Sequence, residues 1–166
     1  MSIVCCKILE DRIEIASDSI MVQGYTQEKG KDNYSKLSSV NGMVIGSCGT
    51  ASESGLMQVF ALTHKPAYSN EDGILNFITE FCEWKKLKTG EFKLENHYII
   101  AFDSKVFYIE NYFVKEVVSY EAVGAGREFA LAVLYLGNDV EQAVSVSCEL
   151  CIYCEKPIKK FVIPIN

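Results

Sequence analysis

The chain has 166 residues, enough to bury one good core and too few for two comfortable ones. With 49% hydrophobic and 11% aromatic residues it does not have the composition of a disordered chain. Asp and Glu number 22 against 16 Lys and Arg, a net charge of −6, and only Arg12 and Arg127 among the cations are arginine, so an Arg-rich nucleic-acid face is excluded.

In chain order, residues 2–8 and 12–18 are short apolar runs rich in β-branched side chains (Ile3, Val4, Ile8, Ile13, Ile15), separated by Glu10-Asp11. They predict a hairpin. Residues 19–33 are polar and glycine-interrupted, which predicts a loop or a short irregular strand. Residues 35–40 and 43–48 flank Asn41-Gly42, the dipeptide of a two-residue type I′ turn, and form a second expected hairpin. Thr50-Ala51-Ser52-Glu53 has capping-box spacing, with Leu56, Val59, Phe60 and Thr63 expected on one face of the helix behind it. Ser69 or Asn70 can cap a second helix, in which Ile74, Phe77, Ile78, Phe81 and Cys82 recur at three and four.

Strands return at 98–102, 106–109 and 112–118, with turns expected at Asp103-Ser104 and Glu110-Asn111. Residues 127–136 predict a helix that is apolar nearly all round. Asp139 caps another, carrying Val140, Ala143, Val144 and Cys148, and strand-like runs at 150–154 and 160–165 close the chain. Strand groups separated by paired helices predict an α+β fold: two antiparallel sheets packed face to face, a helix layer outside each, with residues 1–166 as a single domain.

The seven cysteines are odd in number, Cys5 and Cys6 are adjacent, and Met1-Ser2-Ile3-Val4 lacks the cationic start and apolar stretch of a signal peptide. Reduced thiols and a cytoplasmic location are expected. The charge-free stretch 38–52 is broken by Gly42, Gly46 and Gly49 and does not read as a membrane span.

Hairpin geometry brings chemistry together. A turn near Glu10 sets Ser2 opposite Asp18, so a hydroxyl at the chain start, exposed once Met1 is removed, would face a carboxylate. The Asn41-Gly42 turn sets Lys36 across from Ser47, beside Cys48-Gly49-Thr50 at the expected helix start. There a lysine could lower a neighbouring proton affinity while the Gly49 N–H holds an oxyanion.

At these residues the sequence resembles a family. Ser2-Ile3-Val4 through Ile15-Ala16-Ser17-Asp18, Lys36-Leu37-Ser38-Ser39-Val40, Gly46-Ser47-Cys48-Gly49-Thr50-Ala51, Val123-Gly124-Ala125-Gly126 and Cys151-Ile152-Tyr153 look like a proteasome β-type subunit, within that group most like the HslV-type peptidase. The resemblance implies the four-layer αββα sandwich of N-terminal-nucleophile hydrolases. It puts the nucleophile on Ser2, the strand-end aspartate on Asp18, the catalytic lysine on Lys36, the oxyanion glycine on Gly49 and a substrate-pocket position on Ala51. An ungapped count from Asp18 would reach Tyr34 instead of Lys36. Three positions depart from the family: Ser2 for threonine, Ala125 for a serine in the glycine turn, and Cys151 and Cys154 for an acid and a hydroxyl.

The implied activity is peptide-bond hydrolysis by an N-terminal-nucleophile endopeptidase of the threonine type. A free α-amine titrates near ~8 and can take the Ser2 hydroxyl proton, with Lys36 depressing that value and Asp18 orienting the lysine. The resemblance implies no required cofactor, a homo-oligomeric ring, an AAA+ ATPase unfoldase as partner and unfolded polypeptide as substrate, without nucleic acid or membrane. Two other classes stand beside it: an inactive subunit serving as a structural or binding ring component, and a small-molecule amidohydrolase using the same serine.

Cys148, Cys151 and Cys154 look at first like part of an iron–sulfur or zinc set, but position 158 is Ile, and His64 and His97 lie far away in sequence. Buried small hydrophobes are the leading account of these thiols. The resemblance implies instead a monovalent cation, such as Na+, on the backbone carbonyls of the three positions. Cys5 and Cys6 fall mid-strand, not at the tip where a nucleophile is needed.

Overall fold

A computed structural model describes residues 2–28 and 35–165. Met1, the end of the expected 19–33 loop after Glu28, Tyr34 and Asn166 lie outside the described residues.

The first hairpin pairs β1 (Ile3–Ile8) with β2 (Arg12–Ser17), closed by the Leu9 N–H donating to the Arg12 carbonyl at 2.8 Å. Val4 stands opposite Ser17, so Ile3, not Ser2, comes level with Asp18. The turn is centred between Glu10 and Asp11, which moves the register by one residue from the expected one. Two three-residue strands, β3 (Met21–Gln23) and β4 (Thr26–Glu28), form a small hairpin of their own in the stretch expected as loop.

Next come β5 (Leu37–Val40) and β6 (Met43–Cys48), joined through Asn41 at φ 51° and Gly42 at φ 79°, the positive pair a type I′ turn demands. Helix α1 (Ala51–Ala61) starts at N-cap Thr50, whose side chain accepts from the Glu53 N–H, and α2 (Glu71–Thr89) starts at N-cap Asn70 and stops at left-handed Gly90. The buried side of α1 is Glu53, Ser54, Met57, Phe60 and Ala61, whereas Val59 of the expected apolar face is exposed.

After α2 run β7 (His97–Phe102), β8 (Lys105–Glu110), β9 (Phe113–Val117) and β10 (Tyr120–Gly124). The turn at Asp103-Ser104 forms as expected, while the next falls at Asn111-Tyr112, one residue late. Strand β10, not foreseen as a separate element, leaves the sheet of β9 and pairs with β1. Helices α3 (Arg127–Tyr135) and α4 (Val140–Leu150) follow, and β11 (Lys159–Pro164) pairs with β2. The strand expected at 150–154 does not exist: α4 runs to Leu150, and the Cys154 N–H turns back to the Cys151 carbonyl at 3.0 Å.

The sheets are β10-β1-β2-β11 and β5-β6-β7-β8-β9. Alternation along β1 and β2 sends Val4, Cys6, Ile13 and Ile15 between the sheets, against Leu37, Ile99 and Val106. Ile3, Cys5 and Ala16 go the other way, under α3 and α4 with Ala130, Leu134 and Val144. The other face of the five-stranded sheet is covered by α1 and α2 through Met57, Phe60, Phe77 and Phe81. Each of these large buried side chains contributes about 1.5–3 kcal/mol as an upper bound. The expected αββα sandwich is therefore the fold. Among the described residues no helix is long and apolar enough to cross a membrane.

Candidate active site

The site lies where the starts of β1 and β5 meet the ends of β2 and β6. Asp18, fully buried just past β2, uses Oδ1 to accept the Ile3 N–H at 3.0 Å and Lys36 Nζ at 2.6 Å. Its Oδ2 accepts the N–H groups of Ile20 and Glu155, each at 3.2 Å. The carboxylate thus has four donors, as a buried charge requires. Lys36 stands across from Ser47, whose N–H donates to the Lys36 carbonyl at 3.0 Å, the pairing expected from the Asn41-Gly42 turn.

Ser2 is also buried and is held by its backbone, its carbonyl accepting the Gly126 N–H at 3.2 Å. Gly124, at φ 103°, makes that approach possible, since a Cβ there would lie 2.3 Å from the Ser2 carbonyl oxygen. Ser2, Lys36, Ser47, Gly49 and Ala51, with Ile20, Met21 and Val22, line one cavity of about 60 Å³. The structure thus brings together Ser2, Lys36, Gly49 and Ala51, with Asp18 behind Ile3 and Lys36. On the other side of Gly49 a wider polar cleft of about 490 Å³ is lined by Cys48, Gly124, Ala125 and the ionisable Glu95, His97, Glu110 and Arg127.

A polar network beneath Gly49 was not foreseen. Asn96, fully buried, accepts the Thr50 N–H on Oδ1 at 2.6 Å and donates Nδ2 to the Thr50 carbonyl and to Ser54 Oγ, each at 3.0 Å. Glu53 has the capping-box spacing but does not reach back to Thr50. Its carboxylate accepts the N–H groups of Glu95 and Asn96, the Tyr98 hydroxyl at 2.8 Å and Lys85 Nζ at 2.6 Å. Lys85 also donates to the Lys93 carbonyl. One sequence signal pointed here: Lys85 continues the apolar spacing of Ile74, Ile78 and Phe81, an unusual place for a solvated lysine.

Burial disfavours the thiolate form at the core cysteines. Burial pushes Cys6 and Cys48 up to about 12, and Cys5 also rises by burial. Cys48 Sγ donates to the Val123 carbonyl at 3.4 Å. Burial likewise raises Cys148 to about 12, and it raises Cys154 as well. Among the described residues no group of three or more His, Cys, Asp or Glu side chains could hold a metal ion. The backbone carbonyls of Cys148, Cys151 and Cys154 lie at and beyond the C-terminal end of α4, and that of Cys151 accepts the Cys154 N–H at 3.0 Å.

No protein-family model and no curated protein sequence matches the chain. Solved structures do. Thiobacillus denitrificans BPH superposes with TM-score 0.88 at 18% identity over 99% of this chain and 98% of that one. BPH in complex with epoxomicin gives TM-score 0.83 at 20% identity over 99% of both. Eukaryotic HslV from Trypanosoma brucei gives 0.71 at 17% over 98% of this chain and 99% of that one. Anbu, the ancestral beta-subunit from Yersinia bercovieri, gives 0.71 at 11% over 98% and 81%. The αββα sandwich is thus the one these proteasome-type chains adopt, over 98–99% of this chain.

Proposed function

We propose that the chain is a proteasome/HslV-like peptidase subunit that hydrolyses peptide bonds with Ser2 as nucleophile after Met1 is removed. The observation that carries this is the buried Lys36–Asp18 pair at 2.6 Å, with Lys36 lining the same small cavity as Ser2 and Gly49.

In this reading the freed α-amine of Ser2 takes the proton of its own hydroxyl, and Oγ bonds to the scissile carbonyl carbon. The carbonyl π electrons move to oxygen, where the Gly49 N–H stabilises the charge. As the oxyanion re-forms the carbonyl, the C–N bond breaks and the departing amine receives the proton held by the α-ammonium. Water then attacks the Ser2 ester, losing its proton to the same amine, and the acid departs as Oγ is reprotonated. Lys36, paired with Asp18 and lining the same cavity, favours the neutral, basic form of the α-amine, and Asp18 fixes Lys36.

Ala51 shapes the small pocket for the side chain before the scissile bond, and the polar cleft beyond Gly49 receives chain on the other side. A monovalent cation on the carbonyls of Cys148, Cys151 and Cys154 would brace the segment whose Glu155 N–H holds Asp18. The subunit works in a homo-oligomeric ring in the cytoplasm, fed with unfolded polypeptide by an AAA+ ATPase. The second reading, an inactive ring component, is favoured by one residue: Ala125 supplies no hydroxyl near Ser2.

Intact mass and fluorogenic peptide hydrolysis decide between them. A species lighter by one methionine, active as wild type and silent as Ser2→Ala, supports the peptidase. Equal rates for the two proteins overturn it.

A further inference from the structure

The oxyanion role given to Gly49 depends on how its backbone is held. On one side Gly49 follows β6, where Cys48 pairs with His97. On the other side, the residue before His97 reaches across: Asn96 grips the Thr50 N–H and the Thr50 carbonyl with the two ends of one amide. The peptide before Gly49 is thereby tied to the sheet and the peptide after it to Asn96. Gly49 sits at φ 150°, and a Cβ there would lie 2.0 Å from Asn96 Oδ1, so the amide occupies the space a side chain would need.

In an ordinary capping box the Thr50 N–H would be met by Glu53. Here Asn96 takes that bond, and Glu53 is released to hold Asn96 from behind, its carboxylate accepting the Asn96 N–H at 2.9 Å while Lys85 and Tyr98 satisfy the remaining capacity. Ser54 completes the ring, accepting from Asn96 and from Ser47 Oγ, and Ser47 itself lines the cavity of Ser2. Asn96, Glu53, Lys85, Tyr98, Ser54 and Ser47 are buried, where an unmet bond would be costly, while Thr50 stands at the exposed end of the network.

We propose that Asn96 is a positioning residue: it locks the Gly49–Thr50 peptide so that the Gly49 N–H is held toward the Ser2 cavity, with Glu53 and Lys85 as its buried support. The proposal rests on the peptidase reading for its kinetic consequence but not for the lock itself. It predicts that the Thr50 amide is among the slowly exchanging ones and that this protection depends on the Asn96 side chain. It also predicts a loss confined to the chemical step, because a displaced oxyanion donor harms the transition state more than the bound peptide.

The experiment compares the processed full chain with Asn96→Ala and with the milder Ser54→Ala, which removes only one partner of the Asn96 amide. Amide hydrogen exchange is read at Thr50, and kcat and KM are read separately on a fluorogenic peptide. Expected are faster Thr50 exchange in Asn96→Ala, a kcat about 10–100-fold lower with KM within about twofold, and a smaller loss of the same kind in Ser54→Ala. Inhibition by a peptide aldehyde, whose hemiacetal oxygen mimics the oxyanion, should weaken in step with kcat. Unchanged kcat in a folded Asn96→Ala, or a Thr50 amide that exchanges freely in wild type, overturns the proposal. If wild type lacks peptidase activity altogether the peptidase reading fails, and Thr50 exchange alone decides the lock. Should Asn96→Ala not fold, Ser54→Ala and wild-type exchange at Thr50 carry the decision.

Discussion

Lys36 Nζ stands 2.6 Å from Asp18 Oδ1 in a pair whose side chains are only 3% and 0% exposed. Both charges have left water, so each depends on the other. Removing one partner of such a pair costs about 3–5 kcal/mol. Asp18→Ala should therefore lower the melting temperature clearly and abolish peptide hydrolysis, and Lys36→Ala should do the same. Thermal unfolding and initial rates check this, and a Lys36→Ala protein with wild-type turnover would remove Lys36 from the mechanism.

The second buried pair, Lys85 with Glu53, should respond unevenly to mutation. Lys85→Met leaves the Glu53 carboxylate its bonds from Glu95, Asn96 and Tyr98. Glu53→Met instead strands those three donors together with a buried ammonium. Chemical denaturation should show the Glu53 variant less stable than the Lys85 variant by at least about 1–3 kcal/mol. Equal losses would mean that the pair, and not the carboxylate's wider set of donors, dominates.

The thiols should label in an order set by exposure. Cys5, Cys6, Cys48, Cys82 and Cys154 are buried, while Cys148 and Cys151 are partly exposed. Burial holds Cys148 up to about 12 and so keeps it a weak nucleophile. Brief iodoacetamide treatment of the native chain near neutral pH, read by peptide mass mapping, should mark Cys151 first. Early labelling of Cys48 would contradict its place in the core between the sheets.

Acid should destabilise the fold through Glu14 and Glu121. Burial alone would raise both carboxyls, but Arg12 and Lys160 around Glu14, and Lys115, the Ala122 N–H and Arg127 around Glu121, outweigh it and hold both below the ordinary 4.5. A carboxylate whose folded value is depressed adds stability above its unfolded value and loses it as pH falls through the folded one. Melting temperature should accordingly drop as pH falls below about 4.5, and Glu121→Gln should flatten part of that drop. A pH-independent melting temperature through this range would contradict these pairings.

Much of the architecture was readable because it is local. Asn41-Gly42 demanded its turn, Thr50, Asn70 and Asp139 capped their helices, and alternation of strand groups with helix pairs implied two covered sheets. Where the reading slipped, a longer-range choice had intervened. The stretch 112–118 is followed by a separate strand, Tyr120–Gly124, because the edge of β1 in the other sheet was open to it. The run 150–154 has strand-like composition but lies where α4 ends and finds no neighbouring strand.

The sequence by itself determined which residues could meet: short turns couple partners a few positions apart, so Lys36 beside Ser47 and Asp18 near the chain start followed from spacing alone. Only the tertiary structure decided that those two hairpins, belonging to different sheets, would press together until Lys36 closed on Asp18. Only it could show Asn96 beneath Gly49, 46 positions along the chain from its bonding partner Thr50. Such contacts arise from burying two apolar sheet faces against each other, and no local pattern encodes which polar groups that packing will carry into the core with it.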